Sequence, residues 1–318
     1  MSRLKDLRKV VGRGLALIAL GLAATLLVRA CQTPREAPAP LPEPPSRAPE
    51  ASPPPTPPPP APQAAACPPA PAFAAAARAN GLNLAALAWS PFGRPERGWE
   101  TYQPRIAAEI GSSCPAGSEA FAQALARWQD SHGRPADGVL DAADFDVMKG
   151  RWQQARPFVR LSARGVCPAP PAPERLEQAR ANEGYGGKAI RLRSGALAAY
   201  RRMVEDARKA EPAIAADPIA LQIFSGFRDP DADAARCARE GDCQGVTRAR
   251  CSAHRTGLAM DIVVGQAPGY PVDSSADPNR LAMSRSPAYR WLVKNAHRYG
   301  FANYVFEPWH WEWTGEAP

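Results

Sequence analysis

Two short stretches hold residues whose types and spacing could do chemistry. Ser252-Ala253-His254-Arg255-Thr256-Gly257-Leu258-Ala259-Met260-Asp261 has the pattern S-x-H-x-x-G-x-A-x-D, and Glu307-Pro308-Trp309-His310 has the pattern E-x-W-H. The chain has only four histidines in 318 residues, and these motifs contain two of them. Two imidazoles and one carboxylate, from His254, His310 and Asp261, can hold Zn2+ tetrahedrally with the fourth position open. Such an ion polarises a carbonyl and acidifies water, and a further carboxylate, Glu307, is available as general base. The chemistry that suits this set is metal-assisted hydrolysis. The other two histidines, His132 in the turn Ser131-His132-Gly133 and His297 on a helix, read as surface residues.

The elements around these motifs must bring them together. His254 and Asp261 lie seven apart with Gly257 between them, which disfavours a continuous helix. A loop at His254 turning into a strand over 259–264 would bring both side chains to one end of a sheet. Pro308 breaks strand alternation between Glu307 and His310, so both can face one cavity, which strict period two would forbid. Further strands are predicted over 219–224, running into Ser225-Gly226-Phe227-Arg228, and over 304–306 and 309–313, as a pair or as one strand broken at Pro308. A helix carries Leu192, Leu197, Tyr200, Met203 and Val204. Another begins at Ser286-Pro287, by the cap-then-proline rule, and closes at Gly300. Strands first and last with helices between predict an α+β domain over 166–318, a small, mainly antiparallel sheet with flanking helices holding the zinc site.

The segment before it differs in kind. Residues 73–165 read as a small all-α domain, with apolar residues at helical spacing over 73–80, 106–110 and 121–129. Ser118 and Glu119 open the third of these helices, and Gly133 follows its end. Asp137-Gly138-Val139-Leu140-Asp141 is a tight turn into a short helix through Met148. The stretch Phe121-x-x-Ala124-Leu125-x-x-Trp128-Gln129, followed by Gly133 and Asp137-Gly138-Val139-Leu140, resembles small helical peptidoglycan-binding domains. A purely structural helical domain is the other reading. Pro168-Ala169-Pro170-Pro171-Ala172-Pro173 links the two parts.

The N-terminus reads as an export signal. Arg3, Lys5, Arg8, Lys9 and Arg13 precede an apolar run of fifteen residues over 14–28. That is shorter than the roughly 20 a membrane span needs, and the basic flank marks the cytoplasmic side. Cys31, directly after Val28-Arg29-Ala30, looks like a lipoprotein cleavage site with the cysteine carrying lipid. Arg29 is unusual there, so an uncleaved membrane anchor within residues 1–30 is the alternative. Both place the chain on the periplasmic side of a bacterial envelope. Residues 31–72 form a linker, with 15 prolines among the 29 residues of 34–62. As polyproline II at about 3.1 Å per residue this segment spans on the order of 90 Å.

If Cys31 carries lipid, six cysteines remain: Cys67, Cys114, Cys167, Cys237, Cys243 and Cys251. In an oxidising compartment they allow up to three disulfides, and the spacing of the last three suits a disulfide pinning the loop before His254 better than a thiolate metal site. The net charge of +8 and pI near 9.3 suit an anionic polymer or surface. The basic residues are mostly scattered Arg, as on a solvated surface, and no run of them resembles a nucleic-acid arm.

Four motifs in order carry a family resemblance: Ser225-Gly226-Phe227-Arg228; S-x-H-x-x-G-x-A-x-D; Trp291-Leu292-Val293-Lys294-Asn295-Ala296 with Tyr299-Gly300-Phe301; and Glu307-Pro308-Trp309-His310. Over about residues 190–315 they resemble the VanY-type D-alanyl-D-alanine carboxypeptidases of the lysostaphin and hedgehog zinc-fold superfamily. The resemblance implies zinc ligation by His254, Asp261 and His310, with Glu307 as catalytic base. It also implies that Arg228 binds substrate or stabilises an oxyanion, a structural ion pair being the alternative. Ser252 and Trp309, beside the motif histidines, are the other expected substrate contacts. The substrate class is the peptide stem of peptidoglycan, with release of the terminal D-Ala. An L,D-carboxypeptidase, a cross-link endopeptidase and a non-catalytic zinc-containing wall-binding module are the alternatives, and Glu307 favours an enzyme. The sequence departs from the family pattern after Arg228, where Asp229-Pro230-Asp231-Ala232-Asp233 leads to Cys237 and Cys243 in an insert expected to line the cleft.

Overall fold

The computed structural model describes residues 67–240 and 251–318, all within one compact unit. The N-terminal apolar run, Cys31, the linker up to residue 66, and residues 241–250 lie outside the described residues. The first half of the unit comprises α1 (Ala74–Ala86), β1 (Ala88–Trp89), β2 (Glu96–Arg97), α2 (Gln103–Glu109), α3 (Glu119–Ser131), α4 (Ala142–Gln153) and α5 (Pro157–Ser162). It is thus mainly helical but includes a short antiparallel ladder, β1 with β2. Cys67 and Cys114 are joined by a disulfide. Ser118 caps α3 by accepting the Phe121 amide at 3.2 Å, as its place before Glu119 suggests.

The second half begins with a hairpin, β3 (Leu176–Gln178) and β4 (Arg191–Arg193), followed by α6 (Ser194–Ala210) and α7 (Pro212–Ala216). Then come β5 (Ile223–Ser225), α8 (Pro230–Glu240), β6 (Ala259–Ile262), α9 (Asp277–Ser284), α10 (Pro287–Asn295), β7 (Phe301–Asn303) and β8 (His310–Trp313). Four of these strands form an antiparallel sheet in the order β5-β6-β8-β7. The class is α+β with small antiparallel sheets, as the strand and helix order predicts. Ser286 caps α10 by accepting the Tyr289 amide at 3.1 Å, and Gly300, at φ +83°, ends the short 3-10 turn that follows it.

Three local expectations are corrected. Leu192 belongs to β4, not to the helix, because its backbone pairs with Glu177 across the hairpin. The strand predicted over 219–224 is only Ile223–Ser225. Upstream the chain turns at Leu221, whose φ of +67° is left-handed, and the turn is held by Leu221 N–H donating to Val263 (2.7 Å) and Tyr200 Oη donating to the Leu221 carbonyl (2.8 Å). Residues 304–306 are not a strand but the start of the connection between β7 and β8. That connection is a pair of tight turns, with the Glu307 amide donating to Tyr304 O at 2.8 Å and the His310 amide to Glu307 O at 2.9 Å.

One hydrophobic core runs through both halves, from Trp99, Phe121, Leu125 and Phe145 to Leu197, Met260, Tyr289 and Trp311. At roughly 25 cal/mol per Å2, each fully buried tryptophan removes about 4–6 kcal/mol worth of apolar surface from water. Period two divides β6 and β8 between two faces. Met260, Ile262 and Trp311 point into this core, where Trp311 meets the ring of Tyr289 on α10. Asp261, His310 and Glu312 point the other way.

Candidate active site

The site is assembled by strand register. Asp261 and His310 are direct cross-strand partners on β6 and β8, which places their side chains side by side on one face. His254 arrives by the loop just before β6, a 3-10 turn over Ala253–Thr256. Ser252 caps that turn, its Oγ accepting the His254 amide at 3.2 Å. Gly257, at φ +69°, then reverses the chain into β6. A Cβ there would lie 2.9 Å from Leu176 Cδ2 and 3.2 Å from Arg193 Cγ. Gly257→Ala should therefore cost about 1–3 kcal/mol from left-handed strain and displace His254. A urea melt with an unchanged midpoint would contradict this account of the loop.

The Ser225-Gly226-Phe227-Arg228 motif has a positional use as well. The Gly226 carbonyl accepts from His254 Nδ1 at 2.8 Å, which holds the ring with Nε2 towards Asp261, 3.2 Å from Oδ2. Gly226 itself has no room for a side chain, since a Cβ would meet Arg191 O at 2.7 Å. Arg228 follows, with Nη2 4.0 Å from Asp261 Oδ2. A disulfide between Cys167 and Cys251 anchors the residue preceding Ser252 to the end of the first half of the unit. Cys237 is also disulfide-bonded.

His254, Asp261 and His310 are all buried, and one ligand atom from each lies within 4.8 Å of the others. His310 Nδ1 is 2.9 Å from Asp261 Oδ1. Tetrahedral zinc with bonds of about 2.0–2.1 Å sets its ligand atoms roughly 3.4 Å apart, so this donor set fits zinc with little movement. Electrostatics agree with the fit. Burial lowers the His254 pKa and keeps that ring neutral, as a ligand must be. Burial acts against the charge of Asp261, but His254 and His310 outweigh it and hold the carboxyl well below its usual range. For His310, burial is likewise overcome, by hydrogen bonds to Asp261 and Glu312, and its pKa rises to about 9.

A cavity of about 570 Å3 opens over this cluster. The metal, catalytic and substrate candidates from the sequence line it: His254, Asp261, His310, Glu307, Arg228, Ser252 and Trp309. Glu307 is half-buried, and desolvation raises its pKa, with Asp261 adding to the rise and His310, Arg156 and Arg228 opposing it. The remainder of the insert after Arg228 is α8 and residues 241–250, the latter outside the described residues. Sequence reasoning missed one wall of the cavity. Arg156, Phe158, Val159 and Ser162, from α5 and the residue before it, line the cavity beside the cluster, and no local pattern connects them to residues so far along the chain. It also missed Glu312, although period two places it on the face of His310. His297 is exposed as expected, whereas His132 is half-buried, its ring stacked on Trp128 at 4.2 Å.

The VanY family model, described as D-alanyl-D-alanine carboxypeptidase, matches residues 189–316. No curated protein matches the chain. The matched span carries all four strands of the larger sheet and every residue of the metal-ligand cluster. Residues 189–316 are a domain of the VanY family.

Proposed function

We propose that the protein is a zinc-dependent peptidase that acts on the peptide stems of peptidoglycan and releases their terminal D-Ala. One observation carries the reading: a buried His254–Asp261–His310 cluster of metal-ligand geometry shares a cavity with the carboxylate of Glu307. The family match supplies the substrate class. When bound, zinc supplies an electrophile for the scissile carbonyl and a more acidic water.

The chain's own residues do the rest. Glu307 takes a proton from the attacking water at its carboxylate and delivers it to the leaving amine. Arg228, at the cavity wall, turns its fixed positive charge towards the carbonyl oxygen or the terminal carboxylate. Ser252 and Trp309 line the space in which the stem would lie. The N-terminal apolar run, ending in a lipidated Cys31 or retained as an anchor, would tether the enzyme to the envelope, with the proline-rich segment as spacer.

Chelation should abolish hydrolysis and lower the melting temperature, and zinc should restore both. Zinc at 100 times its dissociation constant stabilises the folded state by about 2.7 kcal/mol. Identical melting curves with and without the ion would count against the site. The decisive assay is mass spectrometry of muropeptides incubated with the zinc-loaded protein. Loss of one terminal D-Ala from pentapeptide stems is expected. Cleavage of tetrapeptide stems or cross-links alone would reassign the bond, and unchanged muropeptides would overturn the peptidase reading.

A further inference from the structure

Glu312 sits two residues beyond His310 on the same face of β8. Its neighbours across the ladders are Ala259 on β6 and Ala302 on β7, whose small side chains leave space above the sheet. The carboxylate filling that space is 2% exposed. Oε1 accepts from Arg156 Nε at 2.8 Å and lies 2.7 Å from Arg156 Nη2. Oε2 accepts the backbone N–H of Phe158 at 3.0 Å. Oε1 also faces His310 Nε2, at 3.4 Å the longest contact of the set.

Arg156 is fixed in turn. Its Nη1 donates to Gln153 Oε1 at 3.1 Å, and its guanidinium lies 4.1 Å from the ring centroid of Tyr304. Because Nδ1 of His310 faces Asp261, Nε2 is the nitrogen left to donate elsewhere. A ligating imidazole is oriented, and its tautomer set, by the carboxylate that accepts its other N–H.

We infer that Glu312, held by Arg156 and the Phe158 amide, is the positioning residue that fixes His310 for the metal. Residues 153–158, which precede the family domain, thereby complete its metal centre. This rests on the zinc reading above. The competing account is a buried ion pair that merely ties two parts of the fold together. The two accounts separate because a neutral replacement of both partners removes the ion pair without leaving a buried charge, yet still deprives His310 of its carboxylate.

The test uses the full chain loaded with Co2+ in place of zinc, comparing wild type, Glu312→Gln, and the double variant Arg156→Met/Glu312→Gln, with His254→Ala as control. Metal affinity is read by chelator competition and ligand geometry by the visible absorption of the cobalt form. We expect both variants to bind metal about 10–100-fold more weakly with shifted bands, the double variant doing so even where its melting matches wild type. Wild-type affinity and spectrum in the folded variants would overturn the inference alone. A wild-type protein that binds no Co2+, or binds it equally after His254→Ala, would overturn the zinc reading and the inference with it.

Discussion

Glu307→Ala should keep its metal and lose about 10²–10⁴-fold in turnover, the range a positioned general acid–base contributes. The residue shares the cavity with the ligand cluster but is not one of its three members, so removing it leaves the donor set intact. In the metal-free protein desolvation raises its pKa first, and the Asp261 charge adds to that. A zinc dication bound at the cluster would act in the opposite sense and would favour the ionised form that a base requires. Glu307→Gln should be as inactive as the alanine variant, because the amide keeps the size and loses the basicity. Zinc content by elemental analysis and D-Ala release measured on the same preparations check both halves of the claim. Turnover equal to wild type would sink the base assignment, and loss of zinc would show that Glu307 holds the metal.

The second large effect is on stability. Glu96 on β2 and Arg280 on α9 are 7% and 1% exposed, with Arg280 Nη1 3.2 Å from Glu96 Oε2. Arg280 Nη2 also donates to the Pro95 carbonyl at 2.5 Å, and Ser284 Oγ donates to Glu96 at 3.1 Å. Glu96→Ala leaves a guanidinium in the interior without its carboxylate, and breaking such a pair costs about 3–5 kcal/mol. A neighbouring pair provides the contrast. Arg290 and Glu100 are 3.9 Å apart, but their side chains are 51% and 53% exposed, so Glu100→Ala should cost no more than about 1 kcal/mol. Urea unfolding of the two variants should separate them clearly. Equal midpoints would mean that water reaches Arg280 and that its charge is not held in the interior.

Much of the site was legible because its logic is local or periodic. A glycine between His254 and Asp261 announces a loop turning into a strand, and the chain does so, with Gly257 in the left-handed region. Ser118, Ser286 and Gly300 sit where helix caps and stops belong, and each does that work. The errors fall where tertiary contacts overrule local preference. Ile219 to Phe224 has the composition of a strand, but the hydrogen bonds of Leu221 to Val263 and of Tyr200 to Leu221 bend it into a turn. Tyr304 and Phe306 are strand-forming types spent on a connection that delivers Glu307. The cavity wall from α5 was invisible for a different reason. The bond from Arg156 to Glu312 spans 156 positions, and neither residue looks unusual among its neighbours in sequence.

The disulfide between Cys167 and Cys251 spans 84 positions and turns residues 168–250 into a covalent ring. The ring includes the β3–β4 hairpin, α6, β5 and the insert after Arg228, while the strands carrying Asp261 and His310 lie beyond its closing point. A single backbone cut anywhere in the ring leaves the protein as one covalent molecule. His254 stays tied both to the cavity wall at its N-terminal side and to the sheet at its C-terminal side. A cut or a lengthening within the ring therefore leaves His254, Asp261 and His310 on one continuous chain.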